Sequence, residues 1–533
     1  MSDRRATGLG LAVSSTSSVA TEGFNLRSYL HPRVVAMLFL GFSSGLPLLL
    51  IFGTLSLWLR EAGVERSAVT YFSWAALGYS FKFVWAPLID RLPLPALTGW
   101  LGQRRSWLAT AQVAVAGAIL LMAESDPSTA EGLARMAVAA VLLGFFAATQ
   151  DIVIDAYRIE AVDETLQALM SSSYVAGYRI GMLVAGAVAL YLAAGFGSTM
   201  DSYAYEAWRW TYWCMAATMS VGLVTTLVIG EPLQRETSAY FHGTLDYARF
   251  LLLFLVFVGG FVVAFRMLSD TVVVLSGWFS SAVFASPVLG GFLSEAFRLI
   301  TALVAGLGAA WLAVVAGVAK REMVRDTYVA PVADFFSRYG QAALTILLLV
   351  GFYRVSDIVL GVIANVFYQD MGYSKEVIAT ATKVFGIWMI ILGGFLGGVL
   401  SVKYGVMRVL MLGAVLTVVT NLLFILLAEA AGNLTLLYVV IGADNLTAGL
   451  ASAAFVAYLS SLTSLSFTAM QYAIFSSLMT LFPKLLGGYS GQVVDAVGYS
   501  YFFAGAALLG VPVFYLVYLA RHSVSDAASP EPG

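Results

Sequence analysis

Two aspartates four residues apart in an apolar stretch, Thr149-Gln150-Asp151-Ile152-Val153-Ile154-Asp155-Ala156-Tyr157, carry the clearest chemistry in this 533-residue chain. On a helix that spacing puts both carboxylates on one face, about 6 Å apart. Two carboxylates that close in a low dielectric cannot both ionise cheaply, so one is expected to hold a proton near neutral pH. A proton-coupled carrier needs such a group, and Asp151 and Asp155 are its candidates here. Cations occupy similar apolar surroundings: Lys82, Arg179, Lys383 and Lys484. If they share a cavity, its positive excess suits a substrate bearing carboxylate or phosphate. Tyr178, between glycines in Gly177-Tyr178-Arg179-Ile180-Gly181, and Gln150 are expected beside them. Arg354 and Asp357, three residues apart, are expected to neutralise each other, and Asp444 is a further ionisable group within a span. Lys82 could instead pair internally with Asp151.

The elements that hold these groups must be membrane helices. Of all residues 60% are hydrophobic and 11% charged, against roughly 45–50% and about 25% in soluble domains, and the mean hydropathy is +0.86. Charges within spans cost on the order of 2.5–3.5 kcal/mol each on insertion scales, which makes each a candidate for function. The single cysteine, Cys214, excludes a disulfide within the chain, and His31, His242 and His522 fall in aqueous segments, which removes histidine-based metal or base chemistry within the spans. Nothing forms a basic footprint for nucleic acid, and no metal or organic cofactor is expected; the energy source would be a proton gradient.

Apolar runs recur near 35–59, 69–89, 105–122, 135–157, 169–194 and 209–229, and again near 340–367, 377–400, 407–428, 434–460, 468–487 and 499–520, with two more near 248–268 and 297–319 between the sets. The expectation is an all-α polytopic membrane protein with 6+2+6 transmembrane helices. Its parts would be a disordered tail (1–34), a six-helix bundle (35–230), a linker with the two extra spans (231–338), a second bundle (339–521) and a short tail (522–533). Assigned alternately to the two sides, the connecting segments hold 17 Lys and Arg on the side of the termini and six on the other, which predicts both termini in the cytosol. The halves look like copies: Gly41-Phe42 opens a helix as Gly351-Phe352 does, and Ala156-Tyr157 closes one as Ala457-Tyr458 does. Two six-helix repeats in parallel are the pattern of the major facilitator fold. In that alignment Asp151 and Asp155 match Ser452 and Val456, so the acidic pair exists in one half only.

Asp155, nearer the cytosolic end, has a second reading as part of a latch. The loop after the second span reads Pro87-Leu88-Ile89-Asp90-Arg91, then Arg104-Arg105, and Asp155 could pair with one of those cations to hold helix ends together. Asp90, Arg91, Arg104 and Arg105 are the gating candidates. The glycines of Gly393-Gly394-Phe395-Leu396-Gly397-Gly398 are expected to allow close helix packing.

These blocks, with Gly41-Phe42-Ser43-Ser44-Gly45-Leu46-Pro47, Phe81-Lys82-Phe83-Val84-Trp85-Ala86-Pro87-Leu88-Ile89-Asp90-Arg91, Ser452-Ala453-Ala454-Phe455-Val456-Ala457 and Phe467-Thr468-Ala469-Met470-Gln471-Tyr472-Ala473, resemble the AmpG-type muropeptide permeases of the major facilitator superfamily, relatives of acetyl-CoA transporters. The resemblance runs from about residue 35 to 520. It implies a proton symporter, monomeric in the bilayer, that imports N-acetylglucosaminyl-1,6-anhydro-N-acetylmuramyl peptides across the inner membrane of a Gram-negative bacterium, feeding peptidoglycan recycling and, through it, β-lactamase induction and antibiotic resistance. The two central spans are not core features of that family. The rival within the class is a carrier of another anionic conjugate such as acetyl-CoA. An intramembrane transferase acting on cell-wall intermediates is the rival outside it, with only scattered carboxylates such as Asp90, Glu160 and Asp163 to work with.

Overall fold

The computed structural model describes residues 26–51, 53–64, 81–199, 202–232, 244–283, 287–430, 432–487 and 490–527. Among these residues twelve helices are long and apolar enough to cross a membrane. They match twelve of the fourteen expected runs. Of the other two, the run near 69–89 falls largely on 65–80, outside the described residues, and the run near 468–487 is a 20-residue helix, less apolar than the twelve.

The first half is built from α1 (Pro32–Ile51), α2 (Gly53–Glu61), α3 (Ala86–Arg91), α4 (Gln103–Ala123), α5 (Ala130–Glu160), α6 (Glu164–Leu183) and α7 (Tyr205–Thr218). The linker supplies α8 (Thr244–Met267), α9 (Pro287–Val315) and α10 (Ala330–Tyr339). The second half follows with α11 (Ala342–Phe352), α12 (Val355–Asp370), α13 (Gly386–Tyr404), α14 (Val406–Glu429), α15 (Leu434–Ser461), α16 (Thr468–Gly487) and α17 (Tyr499–Ala527). The first helix thus begins at Pro32 after a 3-10 turn at Leu26–Leu30, and the last continues to Ala527, past both expected boundaries.

Close helix approach sets the geometry of the first half. Gly41 and Gly45 of α1 face Gly177 and Gly181 of α6: a Cβ at Gly45 would lie 2.1 Å from the Tyr178 carbonyl, and one at Gly181 2.2 Å from the Phe42 carbonyl. Backbone meets backbone there, which fixes how far Ser44, Tyr174 and Tyr178 project between the helices. The expected packing role of the 393–398 glycines holds in the second half, where a Cβ at Gly393 would stand 1.9 Å from the Leu446 carbonyl of α15. Gly181→Val is expected to cost at least the roughly 1–3 kcal/mol of an overpacked core, because the obstacle is main chain that cannot rotate away. Thermal unfolding of the purified protein in detergent measures it; a midpoint equal to the parent's would contradict this packing.

The hydrophobic cores show where the halves join. One cluster, around Trp58, Trp208, Met122 and Leu143, lies wholly in the first half, and another, around Phe367, Phe424 and Phe503, wholly in the second. The clusters at the end where α1 starts mix the two: Ala469, Met470 and Ala473 of α16 pack with Val34, Ile89 and Tyr157, while Ile159 packs with Phe335 and Phe475. Ala176 of α6 meets Ile390 and Ile391 of α13 further in. The bundle is therefore closed at this near end, the one that charge counting assigns to the cytosol.

The inserted helices α8 and α9 pack on each other, with Gly306 against Phe257, and touch the first half through Phe250, Leu253 and Ala313. Their apolar windows are only 11% and 17% buried. They lie at the periphery of the described residues.

Candidate functional site: charged groups between the halves

Asp90, the penultimate residue of α3, ties the halves at the near end. Its Oδ1 accepts from Arg104 Nη2 at 2.7 Å and from the Ala469 amide at 3.2 Å, and its Oδ2 from the Met470 amide at 3.0 Å. Those amides belong to the first turn of α16, whose N–H groups have no partner within the helix and whose dipole favours an anion. Arg104 also grips Glu160 with a two-pronged contact, Nε to Oε2 at 2.8 Å and Nη2 to Oε1 at 2.7 Å. The Arg104 and Arg105 amides donate to the Glu231 carboxylate at 2.7 and 3.0 Å. Burial pushes the Glu231 carboxyl up, and those amides pull against the rise. Arg105 donates to the Thr226 and Leu227 carbonyls and stays within the first half, whereas Arg91 lies over the Phe467 ring of the second, 5.5 Å from its centroid.

Deeper in, at about 1.5 Å rise per residue, Asp155 and Asp151 lie roughly 7 and 13 Å from the near end of α5. Both are buried. Asp155 does not pair with the loop cations, as the latch reading required. Its Oδ2 faces Lys82 Nζ at 3.5 Å and its Oδ1 faces Arg158 Nη2 at 3.5 Å. Lys82 is thereby held in an internal pair, with Asp155 rather than Asp151, although Asp151 lies within electrostatic range of both. Asp151 accepts a hydrogen bond from Ser44 Oγ, which is also 3.0 Å from the Tyr174 hydroxyl, and Tyr174 and Tyr178 stand side by side with ring centroids 6.0 Å apart. Gln150 is fully buried, and neither atom of its amide has a hydrogen-bond partner.

The sequence alone gives Arg158 no role beyond its place among the 17 Lys and Arg on the side of the termini. The structure buries it completely: Nη1 donates to Ser171 Oγ of α6 at 2.9 Å and to Ser460 Oγ of α15 at 2.6 Å, and its guanidinium lies 5.0 Å from the Tyr472 ring centroid of α16. It is a first-half cation seated in the second half.

Mid-span, a second group of charges spans the halves. The expected Arg354–Asp357 pair forms, at 2.5 Å, where the seventh span of the repeat breaks between α11 and α12. Discontinuous helices at this depth are a recurring device of transporter sites. Arg179 of α6 lies within electrostatic range of Arg354 and Asp357, and its nearest polar contact is Met182 Sδ at 3.7 Å; among the described residues it has no ion pair. Asp444 of α15 accepts from Thr420 of α14 and lies in range of Asp357. Lys383 is exposed, in the wide helical turn Thr380–Phe385 that leads into α13. The side chain of Lys484, on α16, lies outside the described residues. The four cations expected in one cavity are thus distributed, with Arg179 facing the other half, Lys82 in an internal pair and Lys383 apart from both.

Charged groups of both signs between two helical bundles that pack together at the near end define a membrane carrier of the major facilitator fold. A solved proton:xylose symporter, XylE bound to 6-bromo-6-deoxy-D-glucose, shares that fold with TM-score 0.58 at 13% identity, over 92% of this chain and 95% of that one. The family described as acetyl-coenzyme A transporter 1 matches residues 33–203. A putative transporter AmpG 4 of Rickettsia conorii is 29% identical over 91% of this chain and 96% of its own length, and an anhydromuropeptide permease of Escherichia coli K12 28% identical over 94% and 82%. An uncharacterized protein of Haemophilus influenzae reaches 30% over 90% and 92%. The chain is thus similar over nearly its whole length to AmpG-type transporters, and it is a carrier, not an enzyme.

Proposed function

We propose that this transporter is a proton symporter that imports anhydromuropeptides from periplasm to cytosol across the inner membrane of a Gram-negative bacterium, by alternating access. The observation that carries the reading is the division of labour between two charged groups, one buried and one partly exposed between the halves. Asp151, hydrogen-bonded by Ser44 and close to Asp155, is a proton site. Arg179, mid-span, without an ion pair and facing Arg354 of the other half, is an anion site, and a peptide carboxylate on the sugar conjugate would complete it. Tyr178, next to Arg179 in the sequence and beside Tyr174, offers a ring for the sugar to stack on. The E. coli relative's name supplies the substrate class.

Binding of the anion between Arg179 and Arg354 would draw the halves together above the site, while the near end, closed here, opens below. Arg179→Gln removes the charge and keeps a donor. Hydrogen bonds to charged groups contribute about 1.5–3 kcal/mol, so the apparent KM for anhydromuropeptide is expected to rise roughly 10- to 100-fold with little change in expression. Uptake kinetics in proteoliposomes decide it, and an unchanged KM would remove Arg179 from the site. The match of residues 33–203 to an acetyl-CoA transporter family supports a second reading, another anionic conjugate as cargo. Competition of labelled anhydromuropeptide uptake by unlabelled muropeptide and by acetyl-CoA in one assay separates the two.

A further inference from the structure

We infer that Arg158 is the positioning residue through which a proton on the acidic pair opens the near end. This rests on the proton-symport reading and names the part of the molecule that transmits it.

The titratable and polar groups facing Arg158 and the acidic pair are Lys82 next to α3, Ser44 of α1, Asp151 and Asp155 of α5, Ser171, Tyr174 and Tyr178 of α6, Ser460 of α15 and Tyr472 of α16. In charge this set balances, two carboxylates against Lys82 and Arg158. The balance makes a fully buried guanidinium tolerable, since a buried charge left without its partner is strongly unfavourable. Its Nε already lacks a partner, so Arg158 has little hydrogen bonding in reserve.

A proton bound to either carboxylate removes one negative charge and leaves the two buried cations with one counter-charge between them. Although its turn, Lys82–Val84, packs on α16, Lys82 itself makes no hydrogen bond or ion pair with the second half in this set. Arg158 does, through Ser460 and Tyr472. The cation that must then find water is the one that holds the halves together, and its departure breaks the 2.6 Å bond to Ser460 and the stacking on Tyr472. Protonation and opening of the near end are thereby linked, and by reciprocity closing this end expels the proton.

The test uses the full-length protein with Cys214→Ser and a reporter, Ser172→Cys. Ser172 is fully buried where α6 meets Tyr29 and α13: Tyr29 Oη lies 3.0 Å from its Oγ, and a Cβ on Gly398 would be 2.6 Å from it. Maleimide labelling at position 172 in proteoliposomes, normalised to the denatured protein at each pH, reads opening of the near end without any substrate. In the parent, labelling is expected to be slow at neutral pH and several-fold faster on acidification. Arg158→Gln should label fast at every pH, and Arg158→Lys should restore the pH dependence. If Arg158→Gln does not purify as a monodisperse protein, Ser460→Ala carries the test and should raise labelling at neutral pH. Slow labelling of the Gln or Ala variant with the parental pH profile overturns the inference, as does a parent whose labelling does not respond to pH. Failure of the transport reading is seen separately, as a parent with pH-dependent labelling but no uncoupler-sensitive muropeptide uptake.

Discussion

Asp151→Asn is expected to reduce gradient-driven accumulation of anhydromuropeptide to the level of empty liposomes while leaving exchange of labelled for unlabelled substrate close to that of the parent. The carboxylate accepts from Ser44 and shares its surroundings with Asp155 and Lys82. Asparagine has the same shape and its amide oxygen still accepts from Ser44, so packing is preserved. What it lacks is a proton to gain on one side and release on the other. Exchange needs only that the loaded carrier reorient, and a neutral side chain resembles the protonated, loaded state; net accumulation needs the unloaded carrier to return without its proton. Both rates are read from the same proteoliposomes. Full accumulation by the variant, still abolished by an uncoupler, would remove Asp151 from coupling.

The second large effect is on stability. Arg104→Ala leaves Asp90 and Glu160, both largely buried, facing each other without the cation that separates them. Removing one partner of a buried ion pair typically costs about 3–5 kcal/mol, because the remaining charge is desolvated and uncompensated. Here one guanidinium serves two carboxylates, and through Asp90 it braces the first turn of α16 in the other half. Arg104→Lys should recover only part of the loss, since an ammonium cannot match the two-pronged contact with Glu160. Thermal unfolding in detergent is the measurement. A loss for Arg104→Ala within about 1 kcal/mol of zero, the usual value of an exposed pair, would contradict the placement.

How legible this was in the sequence depends on the range of the contact. Helix periodicity, span count and the i,i+3 and i,i+4 pairs are local, so the Arg354–Asp357 pair, the shared face of Asp151 and Asp155 and the glycine packing at Gly393 were readable from spacing alone. Arg158 was not. It sits at the mouth of α5 next to polar Glu160 and Asp163, so composition places it in a loop, and its decisive partner Ser460 is 302 residues away. The partner of Asp155 was misplaced for a related reason: a nearby basic loop suggested Arg91, Arg104 or Arg105, but Arg104 is engaged by Asp90 and Glu160, Arg105 by the Thr226 and Leu227 carbonyls and Arg91 lies over Phe467, and the pair goes to Lys82 and Arg158 instead. A signal for Arg158 did exist. It is the helical neighbour of Asp155 at i+3, the same rule that paired Arg354 with Asp357. Asp444 stood out as an ionisable group within a span, but its nearness to Asp357 and its bond from Thr420 depend on how α12, α14 and α15 pack, which no spacing encodes.

The central claim, that a proton gradient drives an anionic muropeptide through this carrier, is tested most directly by uptake of radiolabelled anhydromuropeptide into proteoliposomes of the purified full-length protein, acidic outside, with and without an uncoupler. Accumulation above the external concentration, collapsing when the uncoupler is added, is the expected result. Uptake no greater than in protein-free liposomes, or accumulation that survives the uncoupler, would contradict it.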